Sequence, residues 1–223
     1  MGLADNAILT QEQKTLLLHF SESDLRQSFY LTGGTALAAF YLFHRVSEDL
    51  DFFSGVQAGI EEILAFLKTL PDRVDIQYER KFDRKIFLLR HLNGRIVRVE
   101  FTYYPFDKSE EGLLVQGVRI DSLKDILVNK IMALADRRDP KDFVDLYFAL
   151  RSWPDLDMDQ LVQATESKFG VKGIKHIVRG RFLEPLPPMG TLVMRQELDL
   201  EDLSRFFRRL AKAWIASEIN TEF

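Results

Sequence analysis

The sequence predicts an α+β protein in which a mixed-sheet half is followed by an all-helical half. Two changes of period carry this. From Val74 to Phe101 apolar and polar residues alternate, and Leu92-Asn93-Gly94 joins two such runs, a strong hairpin signal. After Asp121-Ser122 the apolar residues recur at three and four instead, which is helical spacing. The boundary falls near residue 118, giving a domain of residues 1–118 and a helical domain of residues 119–223.

The first eight residues read as a loose end. A helix follows from Thr10, with Thr10 as N-cap and Gln13 in the capping-box position. Phe29-Tyr30-Leu31 is a short strand that leads into Gly33-Gly34-Thr35. The next helix, about Thr35 to His44, puts Leu37, Phe40 and Tyr41 on one side. Leu50, Phe52 and Phe53 then mark a short apolar strand that carries Asp49 and Asp51. Gly59 to Leu70 is a helix stopped by Pro71-Asp72. The alternating strands come next, and LLVQGVRI, residues 113–120, reads as one closing strand. The helical half holds segments starting at Ser122, Asp139 and Met158. A shorter helix and a proline-rich loop occupy residues 173–190, and a long helix runs from Leu198 to Ile219.

Composition narrows the function classes. A net charge of −4 gives no overall basic field for nucleic acid, although 30 Lys and Arg leave room for a local patch. The absence of cysteine excludes disulfides, thiolate catalysis and Cys-ligated zinc, and it fits a cytoplasmic location. No signal-peptide pattern is present, and no apolar run reaches the roughly 18 residues of a membrane span.

The residues with chemical potential begin with the aspartate pair. Asp49 and Asp51 are two apart on a strand, so both carboxylates share one face. Carboxylate oxygens suit a hard cation such as Mg²⁺, which keeps substrate phosphates among its ligands. One helix upstream, Gly33 and Gly34 let the backbone approach an anion, and Thr35 adds a hydroxyl. The turn is not a P-loop, because no Gly-Lys-Ser/Thr follows. Glu100 lies on the strand face shared by Arg98 and Thr102. It reads either as a base or metal ligand, or as an exposed partner of Arg98. Lys130 interrupts the Leu127, Ile131, Leu134 stripe, so it either snorkels or reaches towards phosphate. Asp139, Pro140 and Asp142 are helix-start grammar, whereas Asp145 lies beyond the first turn. Arg137, Arg138 and Lys141 form a small basic cluster able to meet a nucleotide or an RNA end.

Taken together, GGTALAAFYLFHRVSEDLDFF, RVEF and LVNKIMALADRRDPKDFVDLY resemble the AbiEii/AbiGii-type nucleotidyltransferase toxins of the DNA-polymerase-β-like superfamily, over roughly residues 30–150. The resemblance implies a catalytic first domain and a helical domain that completes the active-site cleft. It implies that Gly33, Gly34 and Thr35 hold the triphosphate and that Asp49 and Asp51, with Glu100, bind two Mg²⁺ ions. Lys130 would touch the nucleotide, and Asp142 or Asp145 would be the essential acid of the last motif. It implies an NTP substrate, an acceptor hydroxyl such as the 3′ end of tRNA, and a cognate antitoxin partner. A small-molecule acceptor and a catalytically silent NTP-binding module are the rival readings.

Overall fold

A computed structural model describes residues 2–72, 74–190 and 192–219. The chain divides into two compact units, Met1–Ile126 and Leu127–Phe223.

The first unit is built on one seven-stranded sheet. Its strands are β1 (Tyr30–Thr32), β2 (Asp49–Ser54), β3 (Val74–Lys81), β4 (Arg84–His91), β5 (Ile96–Tyr103), β6 (Leu113–Val115) and β7 (Val118–Ile120). They lie in the order β3-β4-β5-β2-β1-β7-β6. β2 runs parallel to β5 and β1 parallel to β7, while the other pairs are antiparallel, so the sheet is mixed as the sequence predicts. The unit also carries α1 (Gln11–Glu22), α2 (Gly33–Leu37) and α3 (Ile60–Lys68).

β2 alternates half-buried and buried residues. Leu50 and Phe52 enter the core, while Asp49 and Asp51 take the other face. On the core side Phe52 stacks on Phe101 with ring centroids 5.1 Å apart, and Phe20 of α1 lies 4.4 Å from Phe52. Rings buried this fully contribute about 1.5–3 kcal/mol each, so the sheet is anchored at the strands that carry the acidic face.

Three local expectations change. LLVQGVRI is a hairpin rather than one strand. Gln116 and Gly117 both take positive φ (45° and 84°), the geometry of a two-residue turn, and β6 folds back on β7. The glycine carries that signal, but Gln is an unusual first turn residue; its side chain accepts a hydrogen bond from the Leu3 amide at 2.5 Å. The first residues are not loose either. Leu3 and Asn6 are fully buried, and the Asn6 amide donates to the Ala39 carbonyl at 2.6 Å. The helix after the glycines begins at Gly33, and Ala38–Leu42 winds as a π-helical turn that ends at Phe43 with φ 53°. The boundary drawn near residue 118 also compares with a division at Ile126. β7 hydrogen-bonds to β1 and so packs with the sheet.

The second unit is helical. α4 (Leu123–Asp136) crosses the division, and α5 (Pro140–Ser152), α6 (Met158–Phe169), α7 (Ile174–Leu183) and α8 (Leu200–Ile219) follow. Asp139 caps α5 by accepting from the Lys141 amide, with Pro140 in the first turn, as the sequence grammar predicts. Its core is aromatic: Phe207 of α8 lies 5.6 Å from Phe143 of α5 and 4.5 Å from Phe182 of α7.

Candidate active site

The acidic face of the sheet is assembled by register. Asp49 stands opposite Arg98 and Asp51 opposite Glu100 on the parallel neighbour β5. On the far side of β5, Arg84 of β4 stands opposite Thr102. Like charges directly opposite each other are destabilising, so the Asp51–Glu100 row needs cations. Two arginines supply them. Arg84 donates to Glu100 from Nε to Oε1 and from Nη2 to Oε2, the latter at 2.6 Å. Arg98 donates from Nη2 to the same Oε2 at 2.7 Å, and its Nη1 lies 3.5 Å from Asp49 Oδ2. The Thr102 hydroxyl adds a fourth bond, to Oε1 at 2.9 Å. Burial alone would raise the Glu100 carboxyl, but the bonds and charge of Arg84, the Thr102 hydroxyl and the charge of Arg98 outweigh it. They hold the group below the ordinary carboxylate range.

Glu100 is therefore neither exposed nor a simple partner of Arg98: its side chain is 3% exposed. A carboxylate has about four lone-pair sites, and these four donors occupy them.

The glycine turn approaches the aspartates closely. Gly33 has φ +73°, and a Cβ there would stand 2.3 Å from Asp51 Oδ2. A Cβ on Gly34 would stand 2.8 Å from Arg45 Nη2 and 3.1 Å from Ser47 Oγ. Arg45 is buried and was not singled out from the sequence; the glycine beside it is the trace it leaves. The Thr35 hydroxyl donates to the Asp49 carbonyl, so it ties β2 beneath the start of α2 and its proton is already committed.

Asp49 and Asp51 fit a hard cation. Both point to one face, and the Asp49 side chain is 40% exposed. Among the described residues, no three His, Cys, Asp or Glu side chains gather as a metal-holding group. Two carboxylates with phosphate and water oxygens suit Mg²⁺, which seldom uses an all-protein cage.

The second unit holds its own cluster. Lys130 Nζ lies 2.8 Å from Asp142 Oδ1 and 2.7 Å from Asp145 Oδ2, and all three residues are buried. Arg137 Nε reaches Asp142 Oδ2 at 3.1 Å. Lys130 thus binds both aspartates that the sequence left open. The basic cluster foreseen near residue 138 is largely spent on such pairs. Arg137 holds Asp142, and Arg138 pairs with Glu184 at 2.9 Å. A different basic surface appears on α8. Arg205, Arg208, Arg209 and Lys212 line one groove with Asp202 and are exposed. Their i, i+3, i+4, i+7 spacing was readable in the sequence.

By family the chain is a nucleotidyltransferase. A family model described as nucleotidyl transferase AbiEii toxin, type IV toxin–antitoxin system, matches residues 15–218, and the chain belongs to that family. Protein aq_aa25 of Aquifex aeolicus (strain VF5) is 34% identical over 160 residues, covering 70% of this chain and 74% of that protein. Two solved structures share the fold. A Helicobacter pylori chain is 19% identical with a TM-score of 0.62, over 96% of this chain and 99% of that one. The nucleotidyltransferase toxin MenT4 of Mycobacterium tuberculosis H37Rv is 17% identical with a TM-score of 0.57, over 93% of this chain and 86% of that one. No helix among the described residues is long and apolar enough to cross a membrane.

Proposed function

We propose that this nucleotidyltransferase moves a nucleotide from a Mg²⁺-bound NTP to a hydroxyl of an RNA acceptor in the cytoplasm, as a toxin restrained by an antitoxin. The observation that carries the transferase site is the Asp49–Asp51 face beside Gly33. Asp49 and Asp51 would hold Mg²⁺, which supplies charge neutralisation on the phosphates as the acceptor oxygen attacks the α-phosphorus and pyrophosphate leaves. The chain's own contribution is placement. Gly33, lacking a side chain, lets the Asp51 carboxylate lie against the turn, and Thr35 fixes the height of β2 through the Asp49 carbonyl. Lys130, held by Asp142 and Asp145, would meet the nucleotide, and the two aspartates fix the place of its ammonium group.

An RNA acceptor is supported by α8. From Arg205 to Lys212 the helix has four cations and no anion. Among the described residues, Arg208, Arg209 and Lys212 form no ion pair within 4.0 Å. Among the described residues, the groove is lined by no aromatic or aliphatic anchor of the kind that protein interfaces use. Phosphates complement such a surface; tRNA is the acceptor that the family resemblance suggests.

The test offers each α-labelled NTP with Mg²⁺ to the purified chain, together with total RNA, protein or small hydroxyl compounds. Label entering RNA, with pyrophosphate released, supports the reading. Label confined to small compounds moves the acceptor class, and no labelled product from any pool rejects the transferase assignment.

A further inference from the structure

Glu100 sits where a third metal ligand or a general base is expected, yet its bonding suits neither task. A base or ligand needs a free lone pair. Both oxygens of Glu100 are doubly occupied, by Arg84, Arg98 and Thr102. Burying a carboxylate costs several kcal/mol unless partners compensate, so the four bonds account for its burial. The arginines are the solvent-facing members of the group. Their side chains are 42% and 28% exposed, against 3% for Glu100.

We infer that Glu100 is a positioning residue that fixes Arg84 and Arg98 as a two-arginine receptor for the polyphosphate of the NTP. The inference rests on the NTP-dependent reading above. A guanidinium has five N–H donors in a rigid fork. Glu100 takes the Nε and Nη2 edge of Arg84 and one donor of Arg98, whose Nη1 also faces Asp49, so the Nη1 end of Arg84 and the remaining donors of Arg98 are left for an anion. Arginine forks match phosphate oxygens in pairs, which a lysine point charge does not. The location is right for a substrate anion as well. Arg98 stands in register with Asp49 and 3.5 Å from its Oδ2, and Arg84 of β4 stands opposite Thr102, four residues further along β5. Neutralising the acidic face is a second effect of the same two cations. It would be met by lysines as well, whereas the receptor role needs the fork.

The experiment measures two equilibria on the full chain. Inorganic tripolyphosphate binding is titrated by calorimetry in EDTA, and Mn²⁺ binding is titrated separately by electron paramagnetic resonance. Variants are Glu100→Gln and Arg84→Lys, each checked for an unchanged circular dichroism spectrum. Arg84→Lys retains charge at a half-exposed site, so it protects the test if Glu100→Gln fails to fold. The expected result is tripolyphosphate affinity at least fivefold weaker in both variants, with Mn²⁺ affinity within twofold of the parent. Loss of Mn²⁺ affinity with tripolyphosphate binding intact in Glu100→Gln makes it a metal ligand and overturns the inference. No tripolyphosphate binding by the parent, or full binding by Arg84→Lys, overturns it too. Failure of nucleotide transfer with tripolyphosphate binding intact would count against the transferase reading alone.

Discussion

Gly33 and Asp51 stand so close that a methyl group on the glycine would sit 2.3 Å from Asp51 Oδ2. The same glycine has φ +73°, a region in which side chains are strained. Gly33→Ala therefore carries both a conformational penalty and a steric one, and the group displaced is a proposed metal ligand. We expect a loss of roughly 2–4 kcal/mol in stability and at least a hundredfold loss of transfer. Gly94→Ala is the control, because Gly94 shares the positive φ but has open space around it. It should lose only about 1 kcal/mol and keep activity. Equal loss of activity in the two variants would show that backbone strain alone matters.

The Lys130 cluster predicts an asymmetry between single and paired substitution. Asp145→Ala leaves a buried lysine short of one partner, and Lys130→Met leaves two buried carboxylates facing each other. Each should cost about 3–5 kcal/mol in urea unfolding. Lys130→Met with Asp145→Leu should recover much of that stability, because Asp142 still pairs with Arg137 at 3.1 Å, while transfer stays absent. Recovery of transfer in the double variant would deny Lys130 a role in substrate binding.

Acid should weaken the first unit. The Glu12 carboxyl is held from its ordinary value of 4.5 down to about 2. Burial opposes this shift, and the Asn93 amide, the Glu12 backbone, Arg95 and Thr10 outweigh it. Glu100 is shifted in the same direction. With native values below unfolded ones, the unfolded chain binds more protons in the interval between them. The stabilisation is complete above about pH 5 and is lost as pH falls towards 2. Glu12→Gln should lower Tm at pH 6 and flatten its decline below pH 4.5. A parent-like slope in that variant would place the acid sensitivity elsewhere.

The α8 stripe predicts a salt signature. Replacing Arg208, Arg209 and Lys212 with alanine should weaken binding of bulk tRNA and reduce the slope of log K against log salt by about 2–3. These residues are exposed, so Tm should change little. An unchanged slope would remove the RNA argument from this helix.

How much of this was legible in the sequence differs by residue. The alternation around Asn93-Gly94 and the aspartate-bearing strand depend on local period, and both stand where the sequence put them. The Gln116-Gly117 turn hides because its first residue takes positive φ without being Gly, Asn or Asp. Arg84 could not be found locally. It acts on Glu100, sixteen residues away, and only the β4–β5 register brings the two together. Arg45 is hidden for a related reason: its burial follows from packing against Gly34, which no periodicity reveals. The Lys130 pairings were half visible, since a lysine on an apolar stripe and aspartates at helix-start positions are both readable. Their joining requires α4 and α5 to pack.

Nucleotide incorporation by Asp51→Asn tests the central claim most directly. The substitution is nearly isosteric and removes one charge from a half-buried face, so the circular dichroism spectrum should match the parent. With α-labelled NTP, Mg²⁺ and total RNA, transfer should fall at least a hundredfold. Transfer at the parent rate by folded Asp51→Asn would contradict the account, because the Asp49–Asp51 face would then not be where the chemistry occurs.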